Sequence, residues 1–276
     1  TKTVRTLRDR QQRKLAAQHE ELRRTEGRED IRHQAELVTA NIYRLRRGDR
    51  SLECEDYYDP ACPVVHIELD PLKTPQQNAA ALYKEYNKLK AAEQHLTVLT
   101  REGERQLDYL NSVLDELERA ETDRDLSDIR RELTETGYIR ARKGGKAERV
   151  KPQSPLKFVS DDGLEILAGR SNAQNDELTL KLARRTDYWL HTQRVHGSHV
   201  IIRCEGEEPP PRTLEQAAGI AAYYSQARGA GKVQVDYTMV RNVRKPSGAL
   251  PGKVIYTDHK TMLAESDGAL AERLKR

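Results

Sequence analysis

The chain has 276 residues, of which 36% are apolar and 33% charged, and its 48 Lys+Arg stand against 44 Asp+Glu for a net charge of +4. That mixture excludes one apolar core running through the whole length and predicts extended, solvated helices beside a smaller globular unit, while so small a net charge says little about partners. No run reaches the length of a membrane span, the charged first thirty residues hold no secretory signal, and Cys54, Cys62 and Cys204 are too irregular for a disulfide, zinc or redox motif, so a reducing, cytoplasmic setting is expected.

Thr1 already falls inside a helical pattern, so more chain is expected ahead of it. Val4, Leu7, Gln11, Leu15, Gln18 and Leu22 form a helical stripe with two polar interruptions, and Leu96, Leu99, Gly103, Leu107, Leu110, Leu114 and Leu117 repeat the same spacing of threes and fours. This period lies closer to eleven residues per three turns than to strict heptads, which predicts one antiparallel coiled coil with little left-handed supercoil. Each stripe is narrow, so neither helix is expected to be stable alone.

Between the arms the pattern gives a helix around 29–47, strands at 51–58 and 64–69, and a helix start at Thr74-Pro75-Gln76-Gln77, with Thr74 as cap and Gln77 completing a capping box. A small module is thus expected at the tip, and arms of about twenty to thirty residues at about 1.5 Å each would hold it roughly 30 to 45 Å from the base. A second helical piece follows over 125–133, with Asp125 and Asp128 favouring its first turn and Gly137 ending it. Then comes a basic run in which Arg140, Arg142, Lys143, Lys146, Arg149, Lys151 and Lys157 face only Glu148. Such a run reads as a solvated linker or as something a phosphate backbone attracts.

Beyond it the pattern changes to short strands at 156–159, 164–168, 188–191, 199–203, 233–238 and 254–256, broken by a helix over 213–228 with the capping box Thr213-Leu-Glu-Gln216. The expected fold is therefore α+β: a long antiparallel coiled-coil arm over 1–137 with a small α/β tip module at about 29–90, a basic linker over 138–154, and a compact α+β domain over 155–276.

The chemistry concentrates in this last domain. Asp187, Trp189 and His191 alternate, as do His199, Ile201 and Arg203, and Val195-His196-Gly197-Ser198 reads as the turn of a hairpin, so both sets would project from one face. A metal-dependent hydrolase centred on Asp187, His191 and His199 is one reading of that group. Against it, there is no HxxxH helix, no cysteine ligand and no GxSxG elbow, so no catalytic residue, metal or cofactor is assigned. The polar loop 169–176, with Arg170, precedes a helix expected over 177–183 with Asp176 as its cap, and Arg184 and Arg185 lie close by; these could meet phosphates, although no Walker pattern is present. Arg241, Arg244, Lys245 and Lys253 add a basic loop broken by two prolines. Trp189, Tyr188, Tyr223 and Tyr224 could stack on unpaired bases or lie in the core.

Asp187-Tyr-Trp-Leu-His191, Gly197-Ser-His-Val-Ile-Ile202, Gly169-Arg-Ser-Asn-Ala-Gln-Asn-Asp176, Ala222-Tyr-Tyr-Ser225, Val235-Asp-Tyr-Thr238 and Lys245-Pro-Ser-Gly-Ala-Leu-Pro-Gly252 together resemble the NFACT-R domain, an RNA-binding module of the RqcH and NEMF family. Leu37-Val-Thr-Ala-Asn41-Ile-Tyr43, Leu69-Asp-Pro-Leu-Lys-Thr-Pro75-Gln-Gln-Asn78 and Tyr86-Asn-Lys-Leu-Lys90 resemble the same family's middle coiled-coil region, so the resemblance covers almost the entire chain. It implies ribosome-associated quality control: binding an obstructed large ribosomal subunit that carries peptidyl-tRNA, with alanyl-tRNA used for C-terminal alanine tailing, the tip touching the ribosome near its stalk base and the last domain touching tRNA or rRNA. Bacterial members often carry the label fibronectin-binding protein, which makes a surface adhesin, or fibronectin as a secondary partner, the alternative. The family's tRNA-handling N-terminal domain and its tailing Asp-Arg pair precede the matched region, so no tailing residue carries over. The motif positions Arg170, Asn172, Asn175, Asp187, Trp189, His191, Ser198 and His199, with the nearby cations Arg184, Arg185, Arg244 and Lys245, are the expected RNA-binding residues.

Overall fold

A computed structural model of the chain describes residues 1–140 and 153–276, which form an α+β protein. Residues 141–152, and with them most of the expected basic linker at 138–154, lie outside the described residues. Packing divides the chain into two compact units, Asp9–Gln106 and Thr1–Arg8 with Leu107–Arg276. The division therefore falls within helices α1 (Lys2–Arg23) and α3 (Pro75–Arg119) rather than at the linker. The cause is that residues from 107 onward share a polar network with Arg170, Asn172, Ala173 and Ser198, which lie in loops and at a helix start beside the sheet that follows.

In the Asp9–Gln106 unit, α2 (Arg28–Ala40) stops seven residues earlier than expected. The Asn41 side chain donates from Nδ2 to the Leu37 carbonyl at 2.9 Å, and a single 3₁₀ turn, Ile42–Arg44, follows. β1 (Ser51–Glu55) and β2 (Val64–Glu68) pair antiparallel with Leu52 opposite Ile67, and both side chains join Leu37, Val38 and Ala79 in a small core. α3 starts as read: Thr74 N–H donates to Gln77 Oε1 at 2.9 Å, and Gln77 N–H donates back to Thr74 Oγ1 at 3.2 Å. The interruptions in the two stripes also meet. Gln11 Nε2 donates to the Gly103 carbonyl at 3.1 Å, and a Cβ at residue 103 would stand 3.1 Å from Gln11 Nε2 and from Leu15 Cδ1. Gly103 is thus a gap that admits a glutamine.

In the other unit, Val4 packs with Tyr109, Leu110, Val113 and Leu114 of α3 and with Ile129 and Leu133 of α4 (Asp123–Glu135). α4 is capped by Thr122, whose hydroxyl accepts from Asp125 N–H at 3.2 Å while the Asp125 carboxylate accepts from Thr122 N–H at 2.9 Å. The sheet contains β3 (Leu156–Val159), β4 (Glu165–Ala168), β5 (Tyr188–Thr192), β6 (Val200–Ile202), β7 (Lys232–Met239) and β10 (Lys260–Glu265), in the order β10-β7-β5-β6-β4-β3 with every pairing antiparallel. Helices α6 (Pro211–Tyr223) and α7 (Gly268–Leu274) cover one face, where Phe158, Ile166, Leu190, Val200, Ile202 and Val235 meet Ala217, Ile220 and Ala221. Trp189 and Ile201 point to the other face, as period-two alternation requires.

Two further helices differ from expectation. α6 starts at Pro211, so Thr213 is not its cap: the buried Thr213 hydroxyl donates to Asp162 Oδ2 at 2.7 Å, and Gln216 Nε2 donates to Asp161 Oδ2 at 2.6 Å, tying the helix to the β3–β4 turn. It ends at Tyr223 because the following residues pair with the hairpin turn, Ser198 N–H donating to the Tyr224 carbonyl and Gln226 N–H to the His196 carbonyl. The second case is α5 (Asn172–Glu177), which begins five residues before the expected helix and is capped by Ser171 rather than Asp176. A single π-helical turn, Leu178–Leu182, completes it. β10 and α7 had no counterpart in the sequence reading.

Candidate nucleic-acid interface

The residues of the dense motif come together, but mostly beneath the surface. β5 and β6 form the expected hairpin with Trp189 opposite Ile201. The Trp189 ring lies 5.7 Å from His191 in a stacked arrangement and 5.2 Å from His199 edge-on, and the two imidazoles are 5.5 Å apart. Over this cluster folds the basic loop: β8 (Val243–Arg244) pairs with β9 (Ile255–Tyr256), Val240 and Val243 pack on the indole, and the Tyr256 ring sits 4.7 Å from it. The Tyr256 hydroxyl donates to Asp236 Oδ2 at 2.7 Å, which holds the lid of the cluster to β7.

Trp189 and Asp187 are 0% exposed and His199 2%, so none of them presents a surface on which a base could stack. Burial lowers the His191 pKa to about 4 and holds that of His199 well below the ordinary imidazole value, with the neighbouring imidazole adding to the effect on His199. Both are neutral near pH 7 and offer no charge to a phosphate. His199 Nδ1 lies 2.7 Å from Thr179 Oγ1, and Asp187 accepts from Arg203 Nη1 and from Arg184 N–H, each at 2.8 Å. A hydrolase centre at Asp187, His191 and His199 does not form from these bonds. Among the described residues no group of three or more His, Cys, Asp or Glu side chains is placed to hold a metal ion.

Asn172, Asn175 and Ser198 are buried as well and lock loops together. Asn175 Oδ1 accepts from His199 N–H at 3.0 Å and its Nδ2 donates to the Gly197 carbonyl at 3.3 Å, while a Cβ at Gly169 would lie 2.1 Å from Asn175 Oδ1. Asn172 Nδ2 donates to Ser112 Oγ at 2.8 Å, and Gly252, at φ +78°, lies so close that a Cβ there would come within 2.2 Å of Asn172 Oδ1. Ser198 Oγ donates to the Gly169 carbonyl at 2.6 Å and accepts from Arg119 Nη1 at 3.1 Å. These three side chains set the spacing between α3, α5, the hairpin turn and the basic loop.

The cations divide by what they face. Arg170 reaches Asp125 at 3.4 Å and the Ser154 carbonyl at 3.2 Å, and Lys245 pairs with Asp176, so both are taken up by internal acceptors. Arg184 pairs with Glu205 at 3.0 Å where both side chains are exposed, an interaction worth at most about 1 kcal/mol. Arg185 and Arg244 are exposed and make no ion pair among the described residues. Arg241 belongs with them: its N–H donates to the Arg185 carbonyl at 3.2 Å, a contact across 56 positions that sequence spacing could not show.

Sequence reasoning also missed a buried pair of acids. Glu132 is 2% exposed and accepts from the Tyr109 hydroxyl and from Ala173 N–H, each at 2.8 Å, whereas neither oxygen of the equally buried Glu116 has a hydrogen-bond partner among the described residues. Burial raises both carboxyl groups, and their mutual repulsion raises Glu116 well above the usual range. The signal was present: Tyr109, Val113 and Glu116 follow one helical stripe, in which a glutamate continues an apolar face.

An α+β module with exposed arginines on and beside a basic loop has the surface chemistry of a nucleic-acid-binding domain. Residues 1–152 match the NFACT N-terminal and middle domains, and residues 155–258 match the NFACT protein RNA binding domain. The chain belongs to the NFACT protein family. It is 39% identical over 254 residues to the Rqc2 homolog RqcH of Bacillus subtilis, covering 91% of this chain and 44% of that protein, and 38% identical to the RqcH of Streptococcus suis over 92% and 45%. The chain thus spans less than half the length of these relatives. Among solved structures, the C-terminal part of the fibronectin/fibrinogen-binding protein from Streptococcus suis superposes with a TM-score of 0.77 at 33% identity, over 100% of this chain and 96% of that one. No helix among the described residues is long and apolar enough to cross a membrane.

Proposed function

We propose that this chain is the RNA- and ribosome-binding part of a ribosome-associated quality control factor acting on obstructed large subunits that carry peptidyl-tRNA, with alanine tailing residing in the full-length protein. The observation that carries the reading is the match, in order and over nearly the whole chain, to the middle and RNA-binding domains of a family whose members include the RqcH proteins and, at 27% identity over 186 residues, the ribosome quality control complex subunit NEMF homolog of Drosophila melanogaster. The exposed basic loop supports contact with tRNA or rRNA. In the Asp9–Gln106 unit, Tyr43 is 82% exposed beside Arg44, Arg46 and Arg47, a combination of aromatic and guanidinium groups suited to RNA, which supports a ribosome contact by the tip module.

Co-sedimentation with large subunits split from stalled ribosomes tests this. Binding to the split subunit that weakens steeply with salt is expected; failure of the chain and of its full-length parent to sediment at low salt would overturn it. The likeness to the Streptococcus suis protein favours fibronectin as a second partner. Binding to immobilised fibronectin that persists at 0.5 M salt would support that reading, and loss of binding at low salt would remove it.

A further inference from the structure

The buried state of the motif leaves open which surface meets RNA. We infer that the RNA phosphate backbone runs along Arg185, Arg241 and Arg244, on a track held in place by the Trp189 cluster; this rests on the RNA-binding reading above and adds where and how the contact is made.

Three observations carry it. The first is placement. Asp187 fixes the turn before β5, because its carboxylate accepts from Arg184 N–H and its own N–H donates to the Arg184 carbonyl at 3.0 Å. On that turn, Val240 N–H donates to the Asp187 carbonyl at 2.9 Å and Arg241 N–H to the Arg185 carbonyl at 3.2 Å. Two arginines 56 positions apart are therefore backbone neighbours.

The second is direction. Val243 is buried against Trp189, and Tyr256, its partner across the ribbon, lies on the same indole. Arg244 and its cross-strand partner Ile255 must then point away from the cluster, and both are exposed. The indole and Tyr256 form a floor, the Arg244 guanidinium group stands on the outer side, and Arg241, close by in the sequence, and Arg185, on the Asp187 turn, are exposed beside it.

The third is charge. Arg119, Arg170, Arg203 and Lys245 of this unit each have a carboxylate with one-fifth or less of its side chain exposed. Arg185, Arg241 and Arg244 have no ion pair among the described residues. A guanidinium group presents a planar fork that takes two phosphate oxygens at once, and a row of them follows a backbone. Trp189 is buried, and the exposed ribbon positions Arg244 and Ile255 offer no ring on which a base could stack, so the contact is assigned to the phosphate backbone. The contact is expected to tolerate any sequence.

The test is fluorescence anisotropy of the whole chain with labelled 12-nucleotide RNAs of two unrelated sequences, from 50 to 300 mM salt. The variant R185Q/R241Q/R244Q is compared with the charge-matched control R212Q/R228Q/R273Q, which alters cations in and after α6 and in α7. Each phosphate contact contributes about 0.7 to the slope of log affinity against log salt, which is about fourfold in affinity at 0.15 M; the three together give roughly 50-fold and a slope smaller by about 2. The expected result is that loss for the first variant only, equal for both RNAs, with Trp189 fluorescence and melting temperature unchanged. If the unaltered chain binds no RNA at low salt, the RNA-binding reading itself fails. If it binds and the first variant binds equally well, or the control loses as much, the track is wrong. Poly-glutamate competing as well as RNA at matched charge would assign this face to an acidic protein instead and overturn the inference.

Discussion

Glu116→Gln should stabilise the protein near neutral pH, and by an amount that grows with pH. Both Glu116 oxygens are buried without a partner among the described residues, while Glu132 holds a hydroxyl donor from Tyr109 and an N–H donor from Ala173. A negative charge on the pair is therefore better supported on Glu132, and the proton stays on Glu116. The folded-state pKa of Glu116 is raised from an ordinary value of 4.5, by burial first and then by Glu132. A raised acid contributes stability that is fully present below its unfolded value and is lost as pH climbs toward the folded one. Over that window the unfolded chain gives up a proton that the folded chain keeps, so this group lowers stability by about 1.4 kcal/mol per pH unit. A neutral glutamine of the same shape removes the slope. Urea unfolding at pH 5, 6, 7 and 8, reading far-ultraviolet circular dichroism, should show E116Q gaining on the parent by up to about 1.4 kcal/mol with each unit until Glu116 ionises. In contrast, E132Q should be less stable than the parent at every pH, because an amide replaces an acceptor of two hydrogen bonds. A difference between E116Q and the parent that does not change with pH, or an E116Q less stable at pH 7, would refute the placement of the proton.

Other outcomes follow from the buried motif. Trp189→Ala should cost about 3–5 kcal/mol in chemical denaturation, whereas Trp189→Phe should cost only about 1–2, since the indole Nε1 has no partner among the described residues to lose. Asn175→Ala leaves the buried His199 N–H unpaired and should cost about 1–3 kcal/mol by the same assay. Gly252→Ala puts a methyl group against Asn172 at a left-handed φ and should lower the melting temperature by several degrees, with Gly248→Ala, which has open space at its own left-handed φ, as the milder control. Because the His191 pKa is about 4 and that of His199 also lies well below the ordinary value, neither imidazole should contribute to the pH dependence of RNA affinity between pH 8 and pH 5.5; a rise on acidification that His191→Gln abolishes would show an imidazolium at the interface.

Local signals were legible and distant ones were not. The capping box at Thr74 and Gln77, the strand Leu156–Val159 and the single face shared by Trp189, His191 and His199 each depend on residues a few positions apart, where periodicity and capping chemistry decide. The end of α6 depends on hydrogen bonds from residues 198 and 226 across the turn, and no propensity within 213–228 announces them. β10 was missed because Lys260-Thr-Met-Leu-Ala-Glu is an edge strand of mixed polarity, hydrogen-bonded to β7 alone and packed on α6, both distant in sequence. Chemical density was the sharpest signal, and most of the residues that carry it are buried. Of the polar side chains gathered within 172–199, Asn175 and Asp187 accept from the backbone N–H groups of His199 and Arg184, Asn172 and His199 bond to the Ser112 and Thr179 hydroxyls, and Trp189 fills the apolar side of the cluster, so their density measures how much structure is buried there.

The arginines show why burial and function separate here. Arg203 holds the fully buried Asp187, and removing it with Arg203→Gln would strand a carboxylate away from water at a cost of about 3–5 kcal/mol. An external phosphate cannot compete for that guanidinium group without incurring the same cost, so Arg203 contributes nothing to the salt dependence of RNA binding. Arg244 has no such internal partner among the described residues, and its substitution costs the fold little. The two variants should therefore fail in opposite assays: R203Q melts earlier but, below its transition, keeps the parent slope of log affinity against log salt, while R244Q melts with the parent and loses about 0.7 from that slope. A loss of slope in folded R203Q would mean that RNA reaches through the Asp187 turn, and the division of cations into internal and external sets would have to be redrawn.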